Sequence, residues 1–177
     1  IQEYTTKITI IDNYNELKIY NDILKNINYD FFLKDYVKSI KTDKGVEKIS
    51  KNINSNDIFN KIQYFIKERC NLFTGGIVLK EYVNLKKING LTNEWRIFYI
   101  NGRILCKIQN SYLNTTICPP DNLILNALYL LSNQSNFFTV DFAQLENDEW
   151  TIIETGDGQV SGLPDDYNSI GFYNQIV

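Results

Sequence analysis

Asp141 and Glu154 lie in the stretch TVDFAQLENDEWTIIETGDGQVSGLP, residues 139–164. With 146–149 as a four-residue polar turn, 140–145 and 150–154 read as two strands of a hairpin. The register can then be counted: Leu145 faces Trp150, Ala143 faces Ile152, and Asp141 faces Glu154. Directly opposed residues have Cβ atoms roughly 4.5–5.5 Å apart and point to the same face. Two carboxylates so placed repel unless one is protonated or a cation sits between them. A hard divalent cation such as Mg²⁺ resolves the conflict, because it takes carboxylate oxygens and keeps positions open for phosphate oxygens. Asp157, in the Gly-rich turn after Glu154, is the third candidate ligand. On this reading, converting Asp141 or Glu154 to its amide leaves the fold as stable as before, or more so. The alternative is a hairpin with one carboxylate turned to solvent.

A second hairpin carries the opposite sign. Asn101-Gly102 is the strongest short-range signal for a two-residue type I′ turn. Counting from it, Ile100 faces Arg103, Phe98 faces Leu105, and Arg96 faces Lys107. Opposed cations make sense around phosphates, where arginine supplies planar bidentate contacts and lysine a point charge. The competing reading is an edge strand with two unrelated charges. Lys34 follows the apolar run FFL and is expected where a strand 30–33 emerges, with Lys38 one loop turn later. Both also read as ordinary solvated lysines of a Lys-rich chain. The loop from there to about Ser55 is polar and is expected to be mobile. It contains no GxGxxG or Walker pattern, so neither a P-loop nor a dinucleotide fingerprint is supported.

Five motifs in order, FFLKDYVKS (31–39), IVLKEYV (77–83), EWRIFYING (94–102), NFFTVDFA (136–143) and IIETGDGQVSGLP (152–164), resemble the ATP-grasp ligases. The likeness is to the branch, common in phages and bacteria, named after two arginines and a lysine, and it covers about residues 7 to 175. It implies that Lys34 and Lys38 touch nucleotide phosphates. Lys80, Glu81, Tyr82 and Val83 match the hinge whose backbone reads the adenine edge. Arg96 matches a family arginine, whereas Lys107 stands where arginine is frequent. The resemblance further implies ATP and Mg²⁺ (or Mn²⁺), the latter on Asp141, Glu154 and Asp157. The expected activity is a carboxylate–amine ligase working through an acyl phosphate, with small-molecule or peptide carboxylate and amine substrates. A nucleotide-binding regulatory or assembly module without ligase activity is the alternative, and a plain structural domain of a phage or viral particle a third reading.

The implied fold is α+β, an ATP-grasp core with a largely antiparallel sheet flanked by helices. One domain, 1–177, is expected, with a smaller lobe at about 7–67 closing over nucleotide and a larger sheet lobe at about 76–177. The elements fit this. A strand at 7–11 leads to a helix with Leu17, Tyr20, Ile23, Leu24 and Ile27 at helical spacing, capped by Asp12 or Asn13 with Glu16. An amphipathic helix is expected at 56–69 and, after Gly75-Gly76, a strand at 77–83. Pro119-Pro120 precedes a helix at 122–132 capped by Asp121, and a short helix is expected in the tail 165–177.

Composition bounds the rest. The 177 residues are 44% hydrophobic and 22% charged with net charge −3, so one sizeable core forms and no basic footprint points to nucleic acid. Histidine is absent, which excludes Ser-His triads and His-ligated zinc. Cys70, Cys106 and Cys118 lack metal-ligand spacing and read as reduced core residues of a cytoplasmic protein. No apolar run approaches the roughly 18 residues of a membrane span. Methionine is absent too, so Ile1 reads as a cut point. The family's preceding N-terminal domain is then missing or supplied by a second chain.

Overall fold

The computed structural model describes residues 5–12, 14–15, 17–42, 45–109, 112–113, 115–164 and 167–176. Two compact units divide the chain, Thr6–Val83 and Asn84–Val177, the latter joined by Ile1–Thr5. The boundary corrects the expected lobes, because the strand at 77–81 belongs to the smaller unit.

The smaller unit orders β1 (Ile8–Ile11), α1 (Leu17–Asn26), β2 (Phe31–Lys34), the two-residue strands β3 (Lys41–Thr42) and β4 (Gly45–Val46), α2 (Ser55–Arg69) and β5 (Ile77–Glu81). The expected capping residues Asn13 and Glu16 lie outside the described residues. β5 is the centre of a three-stranded antiparallel sheet, β1-β5-β2. Its inner face, with Ile11, Phe31, Ile77 and Leu79, packs on Tyr20 of α1, on Ile27 just after it, and on Ile58, Ile62 and Phe65 of α2. α2 begins with Asn54 accepting from the Asp57 N–H at 2.9 Å, which supplies a partner for an otherwise orphaned donor. The polar loop between Lys38 and Ser55 carries the β3–β4 hairpin and a bridge from Ile49 to Phe31.

The larger unit orders β6 (Lys87–Ile88), β7 (Leu91–Thr92), β8 (Glu94–Ile100), β9 (Arg103–Gln109), α3 (Asp121–Leu131), β10 (Phe137–Gln144), β11 (Trp150–Asp157) and α4 (Ser169–Tyr173). Four strands form an antiparallel sheet in the order β11-β10-β8-β9. One face, with Ile97, Tyr99, Phe138, Val140, Phe142 and Ile152, packs on Leu123, Ile124 and Ala127 of α3. On the other, Phe98, Ile100 and Ile108 meet Phe172 of α4. Asp121 is the first helical residue and not the cap, which is Pro120. Cys70 and Cys118 are exposed and so are not core residues.

Both hairpins form, and each contains a bulge that sequence counting misses. The Asn101-Gly102 turn has φ of 48° and 72°, as a type I′ turn requires. Ile100 pairs with Arg103, but the register then shifts between Phe98 and Tyr99, leaving Leu105 as the extra residue. Arg96 therefore faces Ile108, and Lys107 faces Ile97 on the α3 side. A slip of one residue exchanges faces, so the expected cation pair is not formed. In the other hairpin the turn is one residue tighter than expected, with Leu145 N–H bonding Glu149 O at 2.8 Å and Asp148 at φ 70°. Ala143 faces Thr151 and Phe142 faces Ile152, not the expected partners. A bulge at Ile153 adds back the residue that the turn removed, so Asp141 does face Glu154.

Candidate functional site

In the larger unit the sheet face opposite α3 carries a compact charged array. Asp141 on β10 is flanked by Arg96 on β8 and Glu154 on β11, all in direct register. Arg96 donates Nε to Asp141 Oδ1 at 2.8 Å and Nη2 to Oδ2 at 2.7 Å. Its Nη1 reaches Gly162 O at 3.0 Å. The Asp141 side chain is only 7% exposed and that of Arg96 20%, so the pair is a partly desolvated bidentate bridge. The hydrogen bonds to Asp141 push the guanidinium pKa up against the opposing effect of burial, and the charges of Glu154 and Glu94 push the same way. Glu154 itself is exposed. The like-charge conflict between Asp141 and Glu154 is thus relieved by a protein cation. Counting within one hairpin could not find it, because β8 and β10 are neighbours only in the folded sheet.

Asp157 does not join this array. β11 continues to Asp157, which faces Phe138, and an odd separation of three residues puts it on the face opposite Glu154. Its Oδ1 accepts the Gln159 N–H at 2.8 Å, shaping the turn that follows. Among the described residues no group of three or more His, Cys, Asp or Glu side chains is placed to hold a metal ion. The expected three-carboxylate set is therefore not assembled, since Asp141 is engaged by Arg96 and Asp157 faces away. Lys107 is on the α3 side, paired with Asp121 at 2.7 Å. The loop after β11 is largely exposed, with Val160 84% exposed, but two of its residues fold back on the sheet. Gly158 is buried against the Phe137 ring, and Ser161 Oγ bonds Thr139 Oγ1 at 2.8 Å.

In the smaller unit the outer face of the sheet presents Ile8, Ile10, Phe32, Lys34, Val78 and Lys80. Ile8 faces Lys80, which faces Phe32, while Ile10 faces Val78, which faces Lys34. Ile8 is 58% and Ile10 50% exposed. Lys34 and Lys80 are diagonal neighbours, a separation of about 7–8 Å with Cβ atoms somewhat closer in such geometry. Two cations therefore stand on one largely apolar sheet face. The backbone of the expected hinge is in use: the Glu81 N–H bonds Lys7 O at 2.8 Å and the Tyr82 N–H bonds Asp30 O at 2.7 Å. Tyr82 and Val83 follow the strand and are half-buried.

Between Lys34 and Lys38 sits Asp35, fully buried, which sequence reading overlooked. Its Oδ1 accepts the N–H groups of Val37 at 2.7 Å and Lys38 at 2.6 Å, and its Oδ2 accepts Arg69 Nε at 2.9 Å. The signal was present in the sequence: an Asp opening a turn bonds backbone two and three residues on.

The model of an ATP-grasp domain family, family 3 of its clade, matches residues 22–175. No curated protein matches the chain. Among solved structures, the chain is similar to the ATP-grasp ligase PsnB complexed with minimal precursor, Mg and ADP, with a TM-score of 0.57, 8% identity and coverage of 97% of this chain and 53% of that one. It is similar to N5-carboxyaminoimidazole synthetase from Staphylococcus aureus complexed with ADP (TM-score 0.58, 13% identity, 94% and 42%). The D-cycloserine synthetase DcsG gives a TM-score of 0.58 at 11% identity, covering 98% and 64%. Such identities establish the fold alone, and the chain spans 42% to 64% of the length of these three structures.

Proposed function

Because the chain belongs to the ATP-grasp domain family, in family 3 of its clade, we propose that it is the nucleotide-handling part of an ATP-dependent carboxylate–amine ligase. The observation that carries this reading is Arg96, a partly desolvated guanidinium held by Asp141 on a sheet face beside the exposed Glu154. ATP with its Mg²⁺ or Mn²⁺ is the substrate. In the smaller unit Lys34, Lys38 and Lys80 attract phosphate oxygens, and the apolar residues around Lys34 and Lys80 suit a base. The segment Lys80, Glu81, Tyr82 and Val83 is the hinge.

In the larger unit Arg96 neutralises charge that develops on a transferring phosphoryl group, an effect that is strongest when the donor is preorganised and little solvated. Asp141 supplies that preorganisation, and Glu154 offers an open carboxylate on the same face. Lys107, on the opposite face, takes no part. The γ-phosphoryl of ATP passes to a substrate carboxylate, giving ADP and an acyl phosphate. An amine then attacks the acyl carbon, inorganic phosphate leaves, and an amide remains. This route needs no protein nucleophile, and the chain has no histidine to activate one.

A second reading, a nucleotide-binding module without turnover, is favoured by one observation, the failure of Asp157 to join Asp141 and Glu154. One experiment separates the two. The protein is incubated with ATP, Mg²⁺, a panel of carboxylates and hydroxylamine, and the products are analysed. Hydroxamate with ADP and phosphate supports the ligase, and Arg96→Ala should then reduce turnover more than ATP affinity. AMP and pyrophosphate would overturn the acyl-phosphate route, and ATP binding without turnover would support the binding module.

A further inference from the structure

The turn between β2 and β3 contains a built polar core that the chemistry above does not use. Asp35 accepts from Val37, Lys38 and Arg69, and its Oδ2 lies 3.4 Å from the Thr74 N–H. Its own N–H bonds Lys38 O at 3.0 Å, so the turn is closed from both ends. Arg69, from the end of α2, also donates Nη2 to Leu72 O at 3.0 Å, which fixes the guanidinium that meets Asp35. Tyr36 completes the clasp. Its N–H bonds Thr74 O at 3.1 Å, its hydroxyl donates to Asp12 Oδ1 at 2.6 Å, and its ring fills the place where a Cβ on Gly75 would lie. Gly75, at φ +73°, is therefore the seat for this ring as well as a break before β5.

A buried carboxylate needs compensating donors, and any nearby donors would serve stability alone. Here two of them are the backbone N–H groups of the single turn that separates Lys34 from Lys38. Asp35 thereby sets the direction in which the chain leaves Lys34 and the orientation of the backbone that bears Lys38. We infer that Asp35 is a positioning residue, anchored by Arg69, that orients the turn bearing Lys38 toward the phosphates of a nucleotide. This rests on the nucleotide reading proposed above.

The test is a double-mutant cycle on ATP affinity, measured by calorimetric titration of the full chain with Mg-ATP. The variants are Asp35→Asn, Lys38→Ala and the two combined. Asn keeps an acceptor for the turn but turns a donor toward Arg69. Asp35→Asn is expected to weaken ATP binding on the order of tenfold, the scale of one charge-assisted contact. In the Lys38→Ala background it should weaken binding clearly less, because part of what it disorders is already gone. Fold losses that simply multiply, or an Asp35→Asn protein that binds ATP as the wild type does, would overturn the inference, since a purely structural carboxylate gives one of these results. If Asp35→Asn does not fold, Arg69→Lys goes through the same cycle, with the same two outcomes deciding. A wild-type chain that binds no Mg-ATP would instead remove the nucleotide reading itself, a result distinguishable from failure of the positioning role alone.

Discussion

Among the described residues each unit of the molecule buries one aspartate against one arginine, yet the two pairs are built differently. Asp35 is closed in by Arg69 and by two backbone N–H groups of its own turn. Asp141 has a bidentate guanidinium and, on its other side, the carboxylate of Glu154. The first carboxylate holds its backbone in shape. The second holds a side chain, and that side chain lies beside an exposed acid. A buried acid bound mainly to backbone acts through the path of the chain, whereas one bound to a single side-chain cation can exchange that cation for another partner. Burial alone does not tell what a carboxylate does; the identity of its donors does.

The largest expected effect is that of Asp35→Ala. It leaves Arg69 without its carboxylate and two turn N–H groups without an acceptor, so the apo protein should lose about 3–5 kcal/mol in urea unfolding. A loss below about 1 kcal/mol would place Asp35 with ordinary surface carboxylates. Asp141→Asn should cost less, about 1–3 kcal/mol, because Asn can still accept one bond from Arg96. This reverses the expectation drawn from the hairpin alone, where removing a charge relieved repulsion. An unchanged or raised urea midpoint for Asp141→Asn would show that repulsion from Glu154 outweighs the bridge.

Acid tests the first pair. Burial pushes the Asp35 carboxyl up, but the Lys38 and Val37 N–H groups and Arg69 together outweigh it, and its pKa falls below the ordinary value. The stability Asp35 contributes is therefore complete above the unfolded carboxylate pKa, about 3.9, and is lost as pH falls through the lower folded value. Urea midpoints measured from about pH 6 down to about pH 3 should fall more steeply for the wild type than for Asp35→Asn. Equal slopes would mean that other carboxylates carry the acid sensitivity. The smallest effect on stability belongs to Glu154→Gln. Glu154 is exposed, so stability should stay within about 0.5 kcal/mol, while Mg-ATP turnover falls. Unchanged turnover would remove Glu154 from the proposed site.

Much of this was legible in the chain. Asn101-Gly102 sets its turn through local backbone chemistry, and the apolar spacing places α1, α2 and α3, but the single core expected for one domain divides into separate clusters in the two units. The facing of Asp141 and Glu154 was reached by a count that held only because a tighter turn and a bulge at Ile153 cancel. The same count failed for Arg96 and Lys107, where the bulge at Leu105 has no compensation. Leu105 buries with Phe98, Ile100, Ile108 and Phe172, so that bulge answers to packing against α4 and not to any signal in the hairpin.

What the sequence by itself determined is the main helices and strands, the Asn101-Gly102 turn and the presence of two carboxylates on neighbouring strands, because these depend on interactions a few residues long. Only the tertiary structure decided that Arg96 clasps Asp141 across 45 positions and that Arg69 reaches Asp35 across 34. Pairings of that range follow from sheet order and from where a helix ends against a turn, which the whole core sets by burying its apolar faces together.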